Sequence, residues 1–135
     1  MSLHSERLAS MIHRVTQQVL DRELTDPRLD ARLTITGVEV HASGNTAVIS
    51  IIVNPDAKER LAMKAIESAT AHIRRRVGTH MPDTRLPNFQ FRVDKGARRE
   101  AAALDAIARI EAERRELERA QSGVDDAGAD TEPTS

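Results

Sequence analysis

Cysteine, tryptophan and tyrosine are absent from the 135-residue chain, and Phe89 and Phe91 are its only aromatics. Without cysteine there is no disulfide, no thiolate metal ligand and no thiol nucleophile, a usage that fits a reducing compartment. Without Tyr or Trp the core has to be aliphatic. Stacking of nucleobases on exposed rings, the means by which many single-strand RNA modules bind, is nearly excluded. No long apolar run follows the opening "MSLHSERLAS", so neither a signal peptide nor a spanning helix is expected, and the expected location is the cytoplasm, away from membranes.

Catalytic patterns are missing too. His4, His13, His41, His72 and His80 show neither the HExxH spacing nor another close metal pairing. There is no G-x-S-x-G elbow, no Walker loop and no glycine-rich dinucleotide turn. The expectation is a non-enzyme with no metal, no cofactor and no small-molecule substrate.

What is present is an uneven distribution of charge. The net charge is only −1, yet residues 72–99 carry eight Lys/Arg against two Asp/Glu, and residues 120–135 carry four acids and no base. A basic segment inside a neutral chain reads either as a solvated face or as a surface for a polyanion. The near absence of acids in that segment favours the polyanion.

Leu8, Met11, Ile12, Val15 and Val19 recur at helical spacing, which predicts an amphipathic helix over 3–23. Pro27 should end it. "RLTITGVEVH" alternates but slips phase at Gly37, the signature of a β-bulge. After the turn "ASGNT", the β-branched run "AVISIIVN" predicts a strand paired with the first as a hairpin. Asn54 and Pro55 read as the cap and first turn of a second helix, with Gly78 as its C-cap. "RLPNFQFRV" is a third strand with Phe89, Phe91 and Val93 on one face. A last helix is expected from Arg99 to about Ala120, followed by a disordered acidic tail. The domains expected are 1–97, 98–120 and 121–135, in an α+β fold with helices on one face of a small sheet.

If Ile73 and Val77 point inward, the ~100° step between helical residues sends Arg75 straight out, with Arg74 and Arg76 on its flanks. Guanidinium forks match phosphate oxygens. The candidate RNA contacts are therefore Arg74, Arg75, Arg76, Arg85, Lys95, Arg98 and Arg99, with Arg7, Arg14 and Arg28 as secondary additions. Ala103, Ile107, Ile110, Arg114 and Leu117 follow the spacing of a short coiled-coil seam, read first as an intramolecular docking face and second as a protein-binding one.

Over residues 5–94 the chain resembles the ribosome-binding factor A family. The resemblance rests on "RLASMI", "LDRELTDPRL", "LTITGVEV", "AVISIIV", "ATAHIR" and "RLPNFQF", in that order. It implies a type II KH-like domain, α-β-β-α-kink-α-β, here with an additional C-terminal helix. It also implies a small-subunit assembly factor that acts as a monomer. Its partners would be the 30S subunit and its 16S rRNA, and its role would be to support maturation of the rRNA 5′ end. In that family an Ala-x-Gly kink replaces the GXXG loop of other KH domains. The equivalent positions here are Ala69, Thr70 and Ala71. The glycine is missing, which disfavours a sharp break by roughly 1 kcal/mol. Two other readings remain open: a KH-like module for other RNAs, and a protein–protein adaptor working through the last helix.

Overall fold

The computed structural model describes residues 3–23, 30–41 and 45–130, with the backbone alone for 124–130. The expected break at Pro27, the candidate Arg28, the hairpin turn at Ser43 and Gly44, and the tail residues 131–135 lie outside the described residues. Two compact units divide between Arg98 and Arg99.

The first unit begins with α1 (Leu3–Arg22), which buries Ile12, Val15, Thr16, Val19 and Leu20. Leu8 packs partly against the same core. Met11, expected on the buried stripe, is instead 38% exposed, because it lies at the edge of the face centred on Ile12 and Val15. Strands β1 (Arg32–Val40) and β2 (Thr46–Asn54) form the expected antiparallel hairpin, and their register shifts between Ile35 and Gly37. The phase slip in the sequence is thus the bulge. β3 (Asn88–Val93) pairs parallel with β2, which places β2 in the centre of a β1-β2-β3 sheet.

One face of this sheet supplies Leu33, Ile35, Ala47, Ile49, Ile51, Val53, Phe89 and Phe91 to a single core, closed by α1 and α2 (Glu59–Thr79). Ile12, Ile49, Ile51, Ile66, Ile73 and Val77 are fully buried. Truncating any of these isoleucines to alanine would cost about 2–5 kcal/mol. Phe89 and Phe91 meet edge to face, with ring centroids 6.3 Å apart at 83°. Both are buried, so neither ring offers a platform for a base.

Both ends of α2 differ from the expectation. Asn54 is the last residue of β2 and not a helix cap. A cis Asn54–Pro55 bond leads into a 3-10 turn at Asp56–Lys58 before α2 begins. Gly78 lies inside α2, and His80 closes the helix with ordinary right-handed angles. No left-handed residue is used there: the His80 and Met81 amides donate to the carbonyls of Val77 and Gly78, which tightens the last turn. At Ala69, Thr70 and Ala71 the helix is unbroken. Alanine is the strongest helix former, and Thr70 turns its hydroxyl onto the Ile66 carbonyl at 2.8 Å.

α3 (Lys95–Asp130) starts four residues before the expected Arg99 and continues past Ala120. Its start is fixed by Asp94, whose carboxylate accepts the Ala97 amide at 3.0 Å, an N-cap geometry. Residues 99–123 are exposed along the whole helix, with Leu104 at 61%, Ile107 at 53%, Ile110 at 65% and Leu117 at 67%. Within this single-helix unit the apolar seam faces no other described element.

Two polar side chains of α1 meet the sheet and core differently. Gln17 donates to the Leu33 carbonyl at 3.0 Å and accepts the Ile35 amide at 2.7 Å, so its amide occupies the outer edge of β1 as a neighbouring strand would. Thr16 is fully buried, and its hydroxyl has no partner among the described residues. A buried hydroxyl without a hydrogen bond is costly, and valine has the same shape. Thr16→Val should therefore raise the unfolding free energy in urea by about 1 kcal/mol; a loss of stability would show that the hydroxyl is satisfied in solution.

Candidate nucleic-acid interface

Helical spacing gives the three consecutive arginines of α2 three different environments. Arg74 is half-buried: its Nε donates to the Pro87 carbonyl at 2.8 Å and its Nη2 to the Leu86 carbonyl at 2.6 Å. The side chain ties the second half of α2 to the entry of β3. Arg76 forms a two-pronged pair with Glu23, just past the end of α1, both bonds at 2.8 Å. Arg75 is exposed and makes no hydrogen bond or ion pair with any described residue.

The remaining candidates, and Arg92, which was not one of them, do not converge on that helix turn. Arg92 lies on the opposite face of the sheet and donates to Ser50 Oγ at 3.0 Å. Arg98 pairs with Glu59 at 3.0 Å, at the start of α2 and about 24 Å along the helix from Arg75 at 1.5 Å per residue. Lys95 is exposed at the start of α3, and Arg85 is exposed in the connection before β3. Arg7 and Arg14 are exposed on α1, whereas Arg99 belongs to the second unit. The single basic patch expected from the sequence is thus divided. Arg74, Arg76 and Arg98 have internal partners, while Arg75, Arg85 and Lys95 are free among the described residues.

Around Arg75 there is a groove of about 530 Å³ between the outer side of α2 and the start of β3. Its lining is Ser68, Thr70, Ala71, Arg74, Arg75, Asn88 and the largely buried Phe89, with Glu67 as the one acid. Ser68, Ala71 and Arg75 are spaced i, i+3, i+7 and so share a helix face. Ala69 packs against the core, while Ala71 leaves the groove floor low. Ser68 and Asn88 are neutral polar groups absent from the cation-based reading. Ser68 could have been found by its spacing to Arg75, but Asn88 reaches the groove only through the parallel pairing of β3.

Asp94 shows how the acids of the basic segment are used. Its carboxyl lies below the usual range, chiefly because the Ala97 amide donates to it and then because the Thr36 hydroxyl does so at 2.7 Å. It is a cap and a sheet-to-helix tie, already committed to the fold. Among the described residues no cluster of three or more His, Asp or Glu is arranged to hold a metal ion, and no helix is long and apolar enough to cross a membrane.

A three-stranded β1-β2-β3 sheet, covered on one face by α1 and α2 and with a groove between α2 and β3, defines an α+β domain of the type II KH-like class. The sequence carries the assignment further, since the family model described as Ribosome-binding factor A matches residues 4–107. The chain belongs to the ribosome-binding factor A family. It is 34% identical over 112 residues to ribosome-binding factor A of Pseudomonas aeruginosa (strain UCBPP-PA14), covering 81% of this chain and 86% of the relative. Against the protein of Synechococcus sp. (strain WH7803) the identity is 27% over 126 residues, covering 90% and 89%. The crystal structure of ribosome-binding factor A from Thermus thermophilus superposes with a TM-score of 0.57 at 21% identity, covering 66% of this chain and 94% of that one. A homology model of the Thermus thermophilus protein, fitted into the cryo-EM map of a complex of that factor with the 30S subunit, gives a TM-score of 0.53 at 20% identity, covering 62% of this chain and 88% of that one.

The Glu23–Arg76 pair has a measurable consequence. The hydrogen bond from Arg76 holds the Glu23 carboxyl at about 2 against an ordinary 4.5; partial burial opposes this, and His80, 3.5 Å away, adds a smaller pull. The folded-state value is depressed, so the stabilisation is fully present above about pH 4.5 and disappears as the pH falls towards 2. Glu23→Gln should flatten the acid limb of the stability–pH curve in that window. An acid limb identical to that of the parent would mean that the pair does not form in solution.

Proposed function

We propose that this protein is a non-enzymatic assembly factor that binds free or immature 30S subunits through rRNA phosphates and supports maturation of the 16S rRNA 5′ end. The reading places it in the cytoplasm. The observation that carries it is a free arginine over a low, small-residue groove floor, in a member of a family whose Thermus thermophilus protein has been fitted into a 30S complex.

In chemical terms the groove suits backbone and not base. Arg75 offers its planar fork to a phosphate, and Asn88 adds an amide that can donate to a phosphate or a 2′-hydroxyl. Ala71 and Ser68 allow a sugar–phosphate chain to approach the helix closely. Glu67 sets one boundary, since it repels phosphate from that end of the groove. Phe89 reaches the groove lining but is only 8% exposed, and Phe91 is equally buried, so the site offers little ring for stacking and discriminates by shape and charge. Arg85 and Lys95 lie outside the groove lining and would meet phosphates beyond it. Such contacts are electrostatic and reversible, as suits a factor that has to leave the mature particle.

Salt dependence tests this directly. Three free cations meeting phosphates correspond to a slope of log affinity against log salt of about −2 to −3. Arg75→Ala should make the slope shallower by nearly one unit and leave thermal stability unchanged. Arg74→Ala should instead cost about 1–3 kcal/mol of stability, because two carbonyls lose a charged donor. An unaltered slope on removal of Arg75, measured with purified small subunits, would contradict the assignment.

A further inference from the structure

The exposed helix of the second unit carries a seam that the groove does not explain. Ala103, Ile107, Ile110, Arg114 and Leu117 repeat at 4-3-4-3 spacing, the pattern of a surface that seats against another helix. Ile107, Ile110 and Leu117 are each more than half exposed. From Ala103 to Leu117 the seam is about 21 Å long, at 1.5 Å rise per residue. Isolated exposed leucines need no explanation, but three large aliphatic side chains aligned on one face of a bare helix do.

The charges beside the seam identify what fits it. With Ile107 and Arg114 at the first core position of each heptad, Glu111 and Glu118 border one side and Glu113 the other. In a parallel pair of identical helices Glu113 would face Glu118 of the other copy and Arg114 would face itself. In an antiparallel pair the glutamates would again meet glutamates. Like charges in those positions oppose a second copy. RNA is disfavoured for the same reason, since phosphates would approach a carboxylate border. The present partners of these groups are weak: Arg115 sits 3.8 Å from Glu111 and Arg114 3.9 Å from Glu118, both exposed pairs within one helix.

We propose that residues 103–117 dock an amphipathic helix of a protein component of the small-subunit particle. That helix would have lysines or arginines flanking its apolar stripe and an acid or amide opposite Arg114. The partner's cations would take the place of the intrahelical pairs at Glu111 and Glu118, and its aliphatic side chains would cover Ile107, Ile110 and Leu117. The inference rests on the small-subunit reading for where the partner is found, while the seam and its charges define what the partner is. Two attachment surfaces of different chemistry would then act in one chain: phosphates for the groove, a protein helix for the seam.

The experiment uses the full chain with Ile110→p-benzoylphenylalanine, incubated with purified small subunits and sedimented before irradiation. A control places the photoreactive group at Ala112, on the far side of the helix. Cosedimentation reports on the small-subunit reading, and the crosslinked product reports on this inference. The expected result is a crosslink, from position 110 and not from 112, to a protein helix whose apolar stripe is bordered by basic residues. Because both positions are exposed, Ile107→Gln with Ile110→Gln should leave the first unit folded. It should weaken cosedimentation about tenfold, with the salt slope of the groove unchanged. A protein that cosediments but crosslinks to rRNA, to its own second copy, to a protein segment without such a stripe, or to nothing overturns the inference and leaves the small-subunit reading standing. A protein that does not cosediment overturns that reading, and this inference with it.

Discussion

The Arg74 guanidinium, donating to the carbonyls of Leu86 and Pro87, is the contact on which the candidate site depends. It joins the helix that carries Arg75 to the chain that becomes β3, and so keeps both walls of the groove at a fixed distance. Backbone carbonyls in a connection between elements need donors, and a charged planar donor satisfies two of them at once. Without this contact the groove would be an open notch between a helix and an edge strand.

A run of three arginines is therefore three separate devices. Successive helical positions differ by ~100°, so one residue turns towards β3, one towards solvent and one towards the end of α1. Arg74 fixes the groove and Arg76 fastens α2 to α1 through Glu23. Arg75 alone of the three remains available for an external anion. Charge counted along the sequence overstates the binding surface, because a cation bonded to an internal acceptor offers little to a ligand.

The parts of the fold that were legible in the sequence are those written in local pattern. Gly37 announced the bulge because a bulge shifts the alternation by one residue. Phe89 and Phe91 shared a phase and so shared the core. The helical stripe of α1 was visible in Ile12, Val15 and Val19. The ends of elements were harder. Gly78 looked like a cap because glycine so often supplies a left-handed angle, yet α2 ends without one. Asp94 is hard to see as the cap of α3 because Gly96, two residues later, reads as a helix breaker. The division of the basic segment was not legible at all. Glu23 and Arg76 are 53 residues apart, and Arg98 and Glu59 are 39 apart; only the packing of α1 and β3 around α2 brings them together. The resemblance to the family gave the topology, and at the positions of the family's kink, where Ala71 stands in place of glycine, α2 runs on as one helix.

The most direct test of this division is the exchange of arginine Nε protons with solvent, observed by NMR on the labelled full chain. The account predicts slow exchange at Arg74 and Arg76, whose Nε–H groups are held by internal acceptors. It predicts fast exchange at Arg75, slowing when small-subunit rRNA is added. Exchange at Arg74 as fast as at Arg75, or protection of Arg75 in the protein alone, would contradict it.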